Sequence, residues 1–221
     1  MGSDALTYPV VGVFGKCCAG KDLVTRWLTE RGWQEINVDH AGHEALHTEH
    51  DAVCAAFGVE ILTDPEDSSS PIDRGKLGAR VFRDPRERAR LEAIIHPPMV
   101  AAVRERVATA RTIAPVVINA ALLIHMNLHV LCDTVILVQA PLLRRLQRAR
   151  ERDRHRLSTL RMIRRVWAQR GLHTQAITGS ADIITVENGG TLAQLYGRLE
   201  TIPQLQEQAG EPTQLWSRTK S

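Results

Sequence analysis

Gly15-Lys16-Cys17-Cys18-Ala19-Gly20-Lys21-Asp22 sets a glycine, four residues and then Gly-Lys between two patterned segments. Before it, Tyr8 to Phe14 is short, apolar and largely β-branched, as a buried strand is; after it, Leu23, Val24, Trp27 and Leu28 recur on one helical face. A strand that feeds a glycine-bearing turn and then a helix is the context of a phosphate-binding loop. Backbone N–H groups and a helix N-terminus point at anionic oxygens, the glycines let the chain pass close to them, and Lys21 adds a mobile positive charge. The candidate phosphate ligands are therefore Gly15, Lys16, Cys17, Cys18, Ala19, Gly20, Lys21, Asp22 and Leu23. One letter departs from the motif: Asp22 stands where a Ser or Thr hydroxyl would hold Mg²⁺.

Outward from the loop, four more apolar segments read as buried parallel strands: Gln34 to Val38, Pro115 to Ala120, Thr134 to Gln139 and Ile183 to Glu187. Helical patterns separate them, which predicts an α/β fold: a five-stranded parallel sheet with helices on both faces and ligands at the carboxyl ends of the strands. The stretch from about residue 40 to 111 is too long for one crossover and predicts a helical insertion. Within it Thr63 to Pro71 is a polar loop, Leu77 to Phe82 begins a helix, and two helices are expected to meet at His96-Pro97-Pro98. A last helix should run to Leu199, before a mobile polar tail over 206–221; residues 1–205 make one domain.

The 221 residues carry a net charge of +3, a mild bias toward anionic partners and far from a dedicated nucleic-acid binder. Phosphorylated small molecules suffice as ligands. No apolar stretch approaches a membrane span, so no membrane partner and a cytoplasmic, soluble protein are expected. The four cysteines have no C-x-x-C spacing and should be reduced thiols. Cys17 and Cys18 are two small residues that fit a tight loop, or thiols whose oxidation or alkylation blocks nucleotide binding.

Asp39 follows the second strand in Asn37-Val38-Asp39-His40-Ala41-Gly42-His43. A carboxylate there can accept a hydroxyl proton from a phosphoryl acceptor, or it can cap a helix. His40, His43, His47 and His50 fall at helical spacing on one face; they read as a polar face beside an anionic site or, through His43 and His47, as a transition-metal chelate.

Ordered motifs over nearly the whole chain resemble the dephospho-coenzyme A kinase family. Gly15 to Lys21 is similar to its phosphate loop, Asn37-Val38-Asp39 to its Asp-Ala-Asp, and His43 to a histidine shortly after. Ile72-Asp73-Arg74, Val81-Phe82, Asp84-Pro85, Leu91-Glu92 and His96-Pro97 follow in the family's order, then Asp133 to Val138, Ala140-Pro141, Arg148, Arg152-Asp153, Ala181-Asp182 and Asn188 to Leu192. The resemblance implies a P-loop kinase fold with a helical substrate insertion and a helical lid over about 142–172. It implies ATP- and Mg²⁺-dependent phosphorylation of the ribose 3′-hydroxyl of dephospho-coenzyme A, the last step of coenzyme A synthesis. Asp39 then becomes the base and Lys21 the phosphate-holding lysine, with Arg148 and Arg152 as lid arginines. His43, Arg74 and His96 become substrate contacts, although His96 reads equally as a buried histidine bonding across the helix break. A monomer or small homo-oligomer is expected.

The departures from the family gather at the active site: Asp22 for Ser, Leu23 for Thr, Asn37 for the first Asp, and Asn119-Ala120-Ala121-Leu122-Leu123-Ile124-His125 for Pro-Leu-Leu-Phe-Glu. Asp22 could ligate Mg²⁺ directly or repel the triphosphate. Asn37 would partly offset the added charge if the two residues are neighbours. The alternatives are a catalytically weakened nucleotide-binding homologue and another small-metabolite P-loop kinase. The arginine run from Arg144 to Arg170 reads as a solvated lid face; a nucleic-acid surface would want more aromatic interleaving than Trp167 supplies.

Overall fold

Val10, Val11 and Val13 are buried, and a strand that exposes neither face belongs inside a sheet covered on both sides. The computed structural model describes residues 7–152 and 182–206. In it β1 (Val10–Phe14) is the central strand of five, with β2 (Gln34–Asn37), β3 (Val116–Asn119), β4 (Thr134–Gln139) and β5 (Asp182–Glu187) in the spatial order β2-β3-β1-β4-β5. Val10 pairs in parallel with Val116, Val11 with Thr134, and Thr134 with Asp182. All five predicted strands are present, each within two residues of its expected ends.

The chain packs as two compact units, one reaching Ile36 and resuming at Arg106, the other Asn37–Glu105. The first carries the sheet with α1 (Lys21–Thr29), α6 (Leu142–Arg152), α7 (Leu192–Glu200) and α8 (Pro203–Gln206). Its core gathers Val11, Val13, Val24, Trp27, Leu28, Val117, Ile136, Val138, Leu195 and Leu199. Buried Ile202 and Leu205 belong to the same cluster, so ordered structure continues past Leu199 in a short helix; the apolar pair outweighs the polar composition around it. The rest of the expected tail lies outside the described residues.

The second unit holds α2 (Val38–Thr48), α3 (His50–Phe57), α4 (Arg74–Val81) and the greater part of α5 (Pro85–Ala110). Its core is Val53, Phe57, Ile61, Leu77 and Val81, packed by Ile72, Leu91, Ile94 and Ile95. Asp73 caps α4, accepting from the Gly75 and Lys76 N–H groups at 2.7 and 3.1 Å. The polar stretch Thr63 to Pro71 is a loop closed by an isolated bridge between Leu62 and Ile72.

Two expectations in this unit are overturned. There is no helix break at His96-Pro97-Pro98, because α5 runs continuously through both prolines. The proline φ is already helical, and the loss is two N–H donors, those that would reach the Ala93 and Ile94 carbonyls. Apolar residues on either side, Ile94 and Ile95 before and Met99 and Val103 after, are held by burial and keep one axis. The four histidines do not share one helix: α2 ends at Thr48, and His50 opens α3.

Candidate active site

The phosphate loop leaves β1 through Gly15 and enters α1 through Gly20. A Cβ at Gly15 would press into the Val138 carbonyl of the neighbouring strand, and one at Gly20, whose φ of 103° is left-handed, would run into the Asn188 carboxamide. Both positions require glycine. No side chain caps α1, and while the Leu23 N–H reaches back to the Gly20 carbonyl at 3.1 Å, the two N–H groups before it, of Lys21 and Asp22, lie ahead of any intrahelical acceptor. Lys21 is half-buried, with its Nζ 3.4 Å from the Gly15 carbonyl. The result is a cationic, donor-rich turn suited to phosphate oxygens.

Side chains from α6 and from the end of β5 hold the loop by its carbonyls. Arg148 donates through Nη1 to the Ala19 carbonyl at 3.2 Å, and through Nη2 to the Asn188 carbonyl and Oδ1 at 3.0 and 3.1 Å. Asn188, 2% exposed, donates in turn to the Ala19 carbonyl at 2.8 Å. One helical turn earlier, Arg145 donates Nε–H to the Cys17 carbonyl at 2.8 Å. Arg148 thus lies at the loop. Arg145 and Asn188 went unassigned in the sequence, although Arg145 lies three residues before Arg148, a spacing that shares a helix face. Arg152 ends α6, but its side chain and the run from Arg154 to Arg170 lie outside the described residues. Arg148→Ala is expected to weaken ATP binding about tenfold or more, since a hydrogen bond to a charged group is worth about 1.5–3 kcal/mol; titration calorimetry measures it.

Asp22 lies exposed in the first turn of α1, where the helix dipole favours an anion. Asn119, at the end of β3, donates Nδ2–H to Asp22 Oδ1 at 3.3 Å and to Glu35 Oε1 at 3.0 Å. One neutral amide therefore links two carboxylates. Asn37 Oδ1 accepts the Asp39 N–H at 3.0 Å and caps α2. The oxygen donors of Asp22 and Glu35 are hard ligands of the kind Mg²⁺ takes.

In the second unit Asp39 is exposed, one residue inside α2, so the capping alternative is excluded: Asn37 is the cap. Among the described residues the Asp39 carboxylate accepts no hydrogen bond. His43 Nε2 accepts from Arg74 Nη1 at 2.8 Å, which joins two of the predicted substrate contacts, and the His40 and His43 rings stack with centroids 6.4 Å apart. His96 is half-buried on α5, within the continuous helix rather than at a break. His50 has both ring nitrogens engaged, Nδ1 with Asp51 at 3.0 Å and Nε2 with the Ser70 carbonyl at 2.9 Å; those two bonds, Asp51 first, raise its pKa. Among the described residues the four histidines form no set of three ligand atoms close enough for one ion.

The dephospho-CoA kinase family model matches residues 9–194. A dephospho-CoA kinase of Treponema pallidum is 30% identical over 199 residues, 88% of this chain and 93% of that relative. One of Borreliella burgdorferi is 34% identical over 132 residues, a match that spans 62% of that relative's length. The solved structure of TT1252 from Thermus thermophilus superposes with a TM-score of 0.70 at 24% identity, over 88% of this chain and 95% of that one, and shares the fold. Among the described residues no helix is long and apolar enough to cross a membrane. With the family match running from the residue before β1 into α7, across the loop and the sheet that carries it, the chain belongs to the dephospho-CoA kinase family and is a kinase, a phosphotransferase.

Proposed function

We propose that the chain transfers the γ-phosphoryl group of ATP to the ribose 3′-hydroxyl of dephospho-coenzyme A, giving coenzyme A. The observation that carries this reading is the uncapped N-terminus of α1 beside Lys21, in a loop pinned through its carbonyls by Arg145, Arg148 and Asn188. Lys21 and the loop amides hold the transferring phosphate. Arg148, with Arg152, offsets the charge that spreads over phosphate oxygens in the transition state. Asp39 takes the proton of the 3′-hydroxyl as its oxygen attacks, while His43, Arg74 and His96 bind the acceptor.

Asp22 would hold Mg²⁺ through a hard carboxylate oxygen in the place of the usual hydroxyl, with Asn119 orienting it. When bound, the cation would neutralise phosphate charge and align the transferring group. Replacing Asp22 by Ser should leave turnover similar or lower and raise the Mg²⁺ concentration for half-maximal rate by about tenfold, the loss of one charged ligand contact. A large gain in turnover would instead mean that the natural loop is impaired.

The proposed protein works in the cytoplasm on small molecules, without nucleic acid or membrane, as a monomer or small homo-oligomer. Incubating it with ATP, Mg²⁺ and dephospho-coenzyme A and weighing the products by mass spectrometry tests the reading. A product heavier than the acceptor by one phosphoryl group is expected; unchanged acceptor in a fold-competent preparation would count against it.

A further inference from the structure

The four cysteines differ in environment. Cys132 is 8% exposed, and burial pushes its thiol up to about 12. Burial also raises Cys54, whose sulfur lies 3.8 Å from His50 Nε2. Cys17 and Cys18 are half-buried in the phosphate loop with their sulfur atoms 3.6 Å apart, and Cys18 is in left-handed backbone with φ of 58°. Beside them Arg145 is 6% exposed, and its Nη2 has no hydrogen-bond partner among the described residues. Burial lowers the pKa of that guanidinium, and the two nearby sulfurs act in the opposite direction, so charge on sulfur stabilises the buried cation. The coupling is mutual: a cation beside a thiol favours its thiolate, the attacking form.

We propose that Cys17 and Cys18 are a dithiol modification site for low-molecular-weight disulfides, converting to an internal disulfide that shuts the phosphate loop. One thiolate attacks a sulfur of the small disulfide and expels its other half as a thiolate, leaving a mixed disulfide on the loop. The neighbouring cysteine gives its proton to solvent, attacks the loop sulfur of that mixed disulfide and expels the second half. Two protein thiols lose two electrons and two protons, and one small disulfide becomes two small thiols. Closing 3.6 Å to a bond of about 2.05 Å brings the sulfurs about 1.5 Å closer, and because adjacent Cα atoms lie about 3.8 Å apart, below the usual disulfide span of about 4.4–6.8 Å, the backbone between the two cysteines must reset. Loop amides re-aimed by that change no longer converge on a phosphate, so ATP and the internal disulfide exclude each other.

The effect on ATP rests on the function proposed above, whereas the thiol chemistry does not. Reduced full-length protein is incubated with glutathione disulfide, with and without ATP, then mapped by mass spectrometry while ATP affinity is measured on the same samples. An internal Cys17 to Cys18 disulfide should form first, with Cys54 and Cys132 still reduced. ATP affinity should fall at least about tenfold and return with dithiothreitol, and saturating ATP should slow oxidation by a similar factor. A lasting glutathione adduct without the internal bond, equally fast oxidation of Cys54, or unchanged ATP affinity after oxidation would overturn the inference. Reduced protein that never binds ATP would count against the proposed function instead, and the mass map would still decide the thiol chemistry. Arg145→Gln should slow the first step about tenfold. If that variant does not fold, the natural protein's rate against that of free cysteine at the same pH gives the readout: a rate about tenfold faster supports the site, and an equal or slower one overturns it.

Discussion

Asp39→Asn is expected to lower kcat for coenzyme A formation by about 10²–10⁴-fold, the usual contribution of a positioned general base, with the KM for ATP within about twofold of normal. The substitution isolates chemistry from folding. The cap of α2 is the Asn37 carboxamide, and it binds the backbone N–H of residue 39, which every residue but proline supplies. What the fold loses is one anion in a first helical turn, worth about 0.3–1 kcal/mol. Steady-state kinetics with each substrate varied, beside a thermal melt, separate the two effects. A kcat within about threefold of normal would remove Asp39 from the role of base.

Lys21→Ala is expected to reduce kcat/KM by at least about 10²–10³-fold, through both weaker ATP binding and slower transfer, as the loss of one donor at developing charge implies. The loop should keep its shape. Lys21 contributes one long hydrogen bond of 3.4 Å to the Gly15 carbonyl, whereas Arg145, Arg148, Asn188 and the bond from the Ala19 N–H to the Lys16 carbonyl hold the turn. The melting temperature should stay within about 2 °C of normal. A variant that melts normally and still turns over at a comparable rate would contradict the assignment of Lys21.

The sheet was legible because β1, β3 and β4 are buried on both faces and read as unbroken apolar runs between polar or glycine-bearing turns. The loop was legible because Gly15 and Gly20 occupy positions that no side chain could share with Val138 and Asn188, and that steric demand appears in sequence as a fixed glycine spacing. Continuity through Pro97 and Pro98 was not legible, since local proline rules describe the lost donors and not the burial that outweighs them. His50 was assigned to the wrong helix because spacing alone does not register the turn at Glu49.

Within the site the unread features were long-range pairings. Asn119 reaches back 97 residues to Asp22, and Asn188 reaches 169 residues to Ala19; no periodicity marks either. Asp22 and Asn119 both depart from the family pattern, in the loop and in the Asn119 to His125 string, and the structure joins them: a carboxylate in the loop meets an amide able to donate to it. Glu35, tied to the same amide, is exposed near the start of the edge strand β2 and carries no signal of its own.

A phosphorus NMR spectrum of the product formed from ATP, Mg²⁺ and dephospho-coenzyme A tests the central claim most directly. The account predicts one new phosphomonoester resonance, coupled to the ribose proton on C3′ and growing in step with loss of the ATP γ signal. ATP consumed to inorganic phosphate alone, or a monoester on any other carbon, would contradict it.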